Sequence, residues 1–119
     1  MNIEELRTYC LSLPATSEDM PFDESALVFR VGRKIFAFTD LEGPFYVNLK
    51  CDPERALLLR EEFDGKIFGA FHMSKTHWNS VMPDSLPPAL VKDLIDHSYA
   101  LVVKGLTKKQ QQVLNESSQ

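Results

Sequence analysis

Two apolar runs, Ala26–Val31 and Lys34–Asp40, stand two residues apart across Gly32-Arg33, and so short a connection closes only as an antiparallel hairpin. Glycine supplies the positive φ that such a turn demands. A third run, Phe45–Lys50, follows the turn Leu41-Glu-Gly-Pro44. It alternates cleanly, with Phe45, Val47 and Leu49 on one face and Tyr46, Asn48 and Lys50 on the other. One face of the sheet is therefore expected to be buried and the other wet.

Helical patterns surround this meander. Ile3, Leu6, Cys10, Leu11 and Leu13 recur near the helical period over residues 2–13, with Asn2 as cap, Glu5 as its capping-box partner and Pro14 as terminator. Residues 14–25 then read as an acidic, irregular linker carrying Glu18, Asp19, Asp23 and Glu24. Asp52-Pro53 opens a second helix that runs to about Phe63, short of Gly65. Residues 66–73 and 77–81 read as two short strands joined through Ser74-Lys75-Thr76. The loop Met82–Ser85 leads into a long helix over Leu86–Lys104, with Pro87 and Pro88 in its first turn and Gly105 after its end. Leu90, Val91, Leu94, Ile95, Ser98, Leu101 and Val102 form its buried stripe.

The order α-β-β-β-α-β-β-α predicts an α+β domain: a five-stranded antiparallel sheet with helices packed on one face. It occupies residues 1–106, followed by a polar tail at 107–119 that is a short polar helix at most and frays. With 119 residues, 44% hydrophobic and 25% charged, the chain is sized and composed for one globular domain.

Several classes of function find no support in the residues. There is no phosphate loop, no nucleophile elbow and no metal spacing around Cys10 and Cys51, which read as reduced, structural thiols. Ser74, Thr76 and Ser80 lie near His72 and His77, yet nothing in the spacing promises a base and an orienting group. A non-enzymatic protein without a cofactor is expected. No apolar run approaches the ~20 residues that span a bilayer, and the acidic, helical start is not a signal peptide, so a cytoplasmic protein without membrane contact is expected.

One combination of phrases is more specific. His72-Met-Ser-Lys-Thr-His-Trp-Asn-Ser-Val81, the proline-led helix after it and Ser98-Tyr99-Ala-Leu-Val-Val103 stand with Leu13-Pro14 and Phe29-Arg-Val-Gly-Arg-Lys-Ile-Phe36. Together they resemble the MmcQ/YjbR family of small bacterial proteins, over about residues 1–105. The resemblance implies a frataxin-like (CyaY-like) fold in a double-wing arrangement, and DNA binding. It brings no catalytic residues.

The candidate nucleic-acid-binding residues are Arg30, Arg33 and Lys34 around the first turn, and Lys75, His77 and Trp78 at the second. Tyr46 and Lys50 extend the surface. Cations at hairpin tips can meet phosphates, and an aromatic on the open face can stack on an unpaired base. Trp78 has a second reading, a core-edge residue covering the end of the long helix with its N–H on a carbonyl. His72 and His77 have only Asp84 nearby and read as hydrogen-bonded side chains rather than metal ligands, and His97, beside Asp93 and Asp96, as a polar boundary. The formal charge of −4 and pI near 5.3 weigh against unspecific phosphate attraction, so a basic face must be local. Two alternatives remain: a protein-interaction module, and a frataxin-like acidic metal surface built from Glu4, Glu5, Glu18, Asp19, Asp23 and Glu24.

Overall fold

The structure is a computed structural model that describes residues 1–71 and 73–117. Along the chain the elements are α1 (Ile3–Ser12), β1 (Thr16–Asp19), β2 (Ala26–Val31), β3 (Lys34–Asp40), β4 (Val47–Lys50), α2 (Pro53–Glu62), β5 (Ile67–Gly69), β6 (Trp78–Val81), α3 (Pro88–Lys104) and α4 (Lys108–Ser117). The sheet is antiparallel with the order β1-β2-β3-β4-β6-β5.

The α+β architecture is the expected one, but the described sheet has six strands instead of five. The additional strand is β1, which pairs with β2 from Thr16↔Val31 to Asp19↔Val28 inside the segment read as a linker. Its Thr-Ser-Glu-Asp sequence lacks the apolar alternation of a half-buried strand because it is an edge. Glu18 faces α1, where Arg7 donates to it, and the Arg7 guanidinium holds its carboxyl below the ordinary range.

The local signals operate as chemistry requires. Asn2 accepts the Glu5 N–H at 2.8 Å while the Glu5 side chain accepts the Asn2 N–H, closing the capping box of α1. Asp52 caps α2 ahead of Pro53. Gly32 and Arg33 both have positive φ, +56° and +71°, the signature of a type I′ hairpin turn. Gly105 does end α3, although in a right-handed conformation.

Leu6 and Cys10 of α1, Ala56 and Leu59 of α2, and Val91, Leu94, Ile95 and Val102 of α3 meet Leu27, Phe29, Val31, Phe36, Val47, Leu49, Ile67 and Val81 of the sheet in one core. The helices thus cover a single face. Residues 108–117 are helical too, and α4 docks through buried Leu106 and Leu114. Thr107 and Gln110 cap it reciprocally, the Gln110 N–H on Thr107 Oγ1 and the Thr107 N–H on Gln110 Oε1. Both cysteines are free and buried, and burial pushes the Cys10 thiol up to about 12. Among the described residues no helix is long and apolar enough to cross a membrane.

Candidate nucleic-acid interface

Strand register decides which side chains share the uncovered face. Val28 pairs with Phe38, Phe38 with Asn48 and Asn48 with Ser80, while Lys50 pairs with Trp78 and Phe68 with Ser80. Alternation then puts Arg30, Phe38, Tyr46, Asn48, Lys50, Phe68, Trp78 and Ser80 on the face away from the helices. Trp78 is therefore half-buried on the open face and does not cover the end of α3. The sequence could not decide this, because a shift of one residue in β6 would move the indole to the other side.

The same register fixes where the turns point. The β2–β3 turn follows Val31↔Lys34, and Lys50 lies at that end of β4. Since Lys50 pairs with Trp78, and the Ala70 N–H reaches the Trp78 carbonyl at 3.1 Å, the β5–β6 connection leaves from the same end. The two hairpins are separated by about 14 Å, three strand spacings of roughly 4.8 Å.

The candidate residues fall into three groups. Arg30, Arg33 and Lys34 gather at the first tip. Arg30 donates to the Arg33 carbonyl at 2.9 Å and stands 3.9 Å from Asp19; Lys34 lies toward the helices, its Nζ 3.4 Å from the Gly105 carbonyl. Arg33 lines a groove with Gly32, Lys109, Gln110 and Val113. Lys75 and exposed His77 belong to the second tip, with Lys50 and Trp78 as cross-strand neighbours between. Tyr46 sits apart, at the far end of β4, its ring 6.0 Å from those of Phe68 and Phe71. His72 lies outside the described residues.

Sequence reasoning missed Lys109. The first turn of α4 stands beside the first tip, where Lys109 lines the groove with Arg33 and the Gln110 amide reaches the Gly32 carbonyl, and the signal was available in Thr107-Lys-Lys-Gln110, a capping box. It also missed how the second hairpin is held. Arg60 donates from Nε to Asn79 Oδ1 at 2.7 Å and from Nη2 to the carbonyls of Lys75 and Trp78, while Asn79 donates to the Ala56 carbonyl. The arginine of α2 thus pins the hairpin from its helix side.

Carboxylates stand at both ends of the sheet. Asp23, Glu24, Asp40, Glu42 and Asp84 lie around the end opposite the tips, where Ala26 pairs with Asp40, and Asp40 and Asp84 border one groove; Asp19 is beside Arg30, and Asp52 follows Cys51, whose N–H reaches the His77 carbonyl. The proposed acidic metal surface does not converge: Glu18 is engaged by Arg7, and Asp23 accepts from Ser25 and Ala26, which lowers its titration range. Among the described residues no three His, Cys, Asp or Glu side chains group as ligands.

The phrases that carried the resemblance have visible structural tasks. Ser98 Oγ donates to the Phe36 carbonyl at 2.5 Å and accepts the Lys50 N–H at 2.8 Å. Tyr99 packs edge-on against Phe36, and its hydroxyl reaches the Pro14 carbonyl at 2.6 Å. Leu13-Pro14 and Ser98-Tyr99 are therefore two sides of one contact.

A family model described as YjbR matches residues 11–101. The chain belongs to the YjbR family. It is 39% identical over 110 residues to the uncharacterized protein YbdF of Escherichia coli O157:H7, covering 91% of this chain and 89% of the relative. It is 33% identical over 116 residues to the uncharacterized protein YjbR of Escherichia coli K12, covering 96% and 98%. Among solved structures, Deinococcus radiodurans protein DR2400 superposes with a TM-score of 0.89 at 37% identity, over 96% of this chain and 88% of that one. A Pseudomonas syringae protein gives 0.73 at 26% identity, over 85% and 98%. This YjbR-family member thus has a shared fold whose relatives carry no stated activity.

His97 offers a test of the packing beside the site. Its Nε2 accepts the Asp52 N–H at 3.1 Å, which requires the neutral ring, and burial followed by Arg55 lowers its pKa from 6.5. The unfolded chain then binds the proton more readily. The full contribution is present above pH 6.5 and is lost as the pH falls from there through the folded value. Urea midpoints at pH 7.5 and pH 5 should differ less for His97→Gln than for the parent; an unchanged difference would remove His97 as a contributor.

Proposed function

We propose that this protein binds nucleic acid, its two hairpins straddling the phosphate backbone like paired wings. The observation that carries this reading is that both basic tips leave one end of the sheet, about 14 Å apart by strand spacing. Lys109 lines a groove with Arg33 and enlarges the first tip, and Asp23, Glu24, Asp40, Glu42 and Asp84 stand at the far end. Arg33 adds support: a left-handed backbone favours glycine or asparagine, so an arginine there is held at a cost of about 1–2 kcal/mol. The proposed activity is binding, with no chemical step and no cofactor.

The test is fluorescence anisotropy with labelled single- and double-stranded oligonucleotides at several salt concentrations. Saturable binding that weakens with salt is expected. Replacing Arg33, Lys34 and Lys75 together by alanine should lower the duplex salt slope by about 2.7, roughly 0.9 for each phosphate contact. An unchanged slope would take the tips out of the site. No binding at ~100 μM protein in low salt, the weak end of ordinary unspecific affinity, would refute the reading. In that case Leu57 and Leu58, adjacent on α2 and 62% and 64% exposed, become the starting point for a protein partner.

A further inference from the structure

We infer that the open face of the sheet receives the unpaired bases of a single strand, with Trp78, Tyr46 and Phe71 as stacking surfaces. The inference rests on the reading of the hairpin tips as phosphate contacts, and names the form of nucleic acid they hold.

The helices all pack on one side, and the aromatics of the other side form a separate cluster. Phe38, Phe68 and Trp78 are half-buried on this face, and Phe71 is 51% exposed. Tyr46 meets Phe68 and Phe71 with rings inclined at 82° and 61°, so the cluster presents ring faces and edges in more than one direction. Beneath lies a desolvated polar pair, Ser80 Oγ donating to Asn48 Oδ1 at 2.5 Å while the Asn48 amide donates to the Phe38 carbonyl. That pair spends its polarity internally and leaves the aromatic surface as what the face offers.

Charge selects the occupant. Arg30 and Lys50 point to this same face near the tips, and Lys75 stands on the adjoining hairpin. An anionic backbone crossing the tip end would direct its bases along the sheet, over Trp78 and toward Phe71 and Tyr46. Bases within a duplex have their faces covered by their neighbours, whereas those of a single strand are free to stack on side chains. Arg60 holds the hairpin that carries Trp78, so the platform is preformed.

Trp78 is the only tryptophan, which makes its emission a direct report on this face. The experiment titrates the full chain with a short oligothymidylate and with the duplex it forms with oligoadenylate, following emission and anisotropy together. The expected result is saturable quenching by the single strand, little quenching by the duplex, and about a tenfold loss of single-strand affinity in Phe71→Ala and in Tyr46→Ala. Phe71 is exposed enough for its variant to keep the fold. Equal affinity for both forms with constant emission overturns the stacking inference and leaves the phosphate reading standing, as does unchanged single-strand affinity in both variants. No binding of either form overturns both. Self-association that Phe71→Ala abolishes, without oligonucleotide binding, would assign the face to a second copy of the chain.

Discussion

Ser98→Val is expected to lower stability by about 4 kcal/mol, read from urea denaturation. The β2–β3 register shifts between Phe29 and Arg30, pairing Phe29 with Ala37 and Arg30 with Ile35, so Phe36 has no partner on β2. Its carbonyl is satisfied by Ser98, which also accepts the Lys50 N–H where β4 ends, and the serine is fully buried. Valine leaves a donor and an acceptor unpaired in the core, at about 1–3 kcal/mol each, and adds volume to a filled site. Ser98→Ala removes the same bonds without the crowding and should cost about 2–3 kcal/mol. A loss below about 1 kcal/mol for both would mean that water replaces the hydroxyl and that Ser98 does not hold the bulge.

Gly32→Val should cost about 3–4 kcal/mol and, more diagnostically, loosen α4. At φ +56° a β-branched residue is strained, and a Cβ at this position would lie 2.7 Å from Leu106 Cδ1. Leu106 anchors the start of α4, so relief of the clash pushes that helix away. Amide exchange over Lys108–Ser117 should accelerate more than exchange in α3. Gly32→Asn tolerates the left-handed backbone yet still meets Leu106, and should fall near 2 kcal/mol. If the asparagine variant matches the parent, contact with Leu106 is not what requires glycine here.

The elements legible in the sequence are those fixed by neighbours along the chain. The capping box of Asn2 and Glu5, the Asp52-Pro53 start and the Gly32-Arg33 turn each rest on residues within a few positions, and each forms as read. β1 escaped because an edge strand has no need of apolar alternation; its glutamate is satisfied by a helix rather than by a sheet partner. The docking of α4 escaped because two leucines, Leu106 and Leu114, anchor an otherwise polar segment that read as a fraying helix at most, although its Thr107–Gln110 cap was there to be read. The second hairpin is shorter in strand than expected, with β5 at Ile67–Gly69 and β6 at Trp78–Val81, and Arg60 from α2 holds its connection by the carbonyls of Lys75 and Trp78.

The candidate site was legible as a set of residue types but not as a place. Arg33 and Lys75 read as cations at turns, and only the pairing of β4 with β6 shows that the two turns point the same way. The face taken by Trp78 depends on the same non-local register. The polar residues of the shared phrases look like chemistry in the sequence, yet Ser98 and Tyr99 spend their hydroxyls on the carbonyls of Phe36 and Pro14.

The strand order also sets a timetable for folding. β1 through β4 are sequential neighbours joined by short connections, so their pairing closes small loops and can begin early. β6 must cross α2 and β5 before it reaches β4, and β5 can join the sheet only through β6. On a ribosome any pairing of β1 through β4 leaves the β4 edge unpaired until Val81 has emerged. That edge, carrying Val47 and Leu49, is the segment a nascent-chain chaperone would need to shield, and the docking of β6 is the step that releases it.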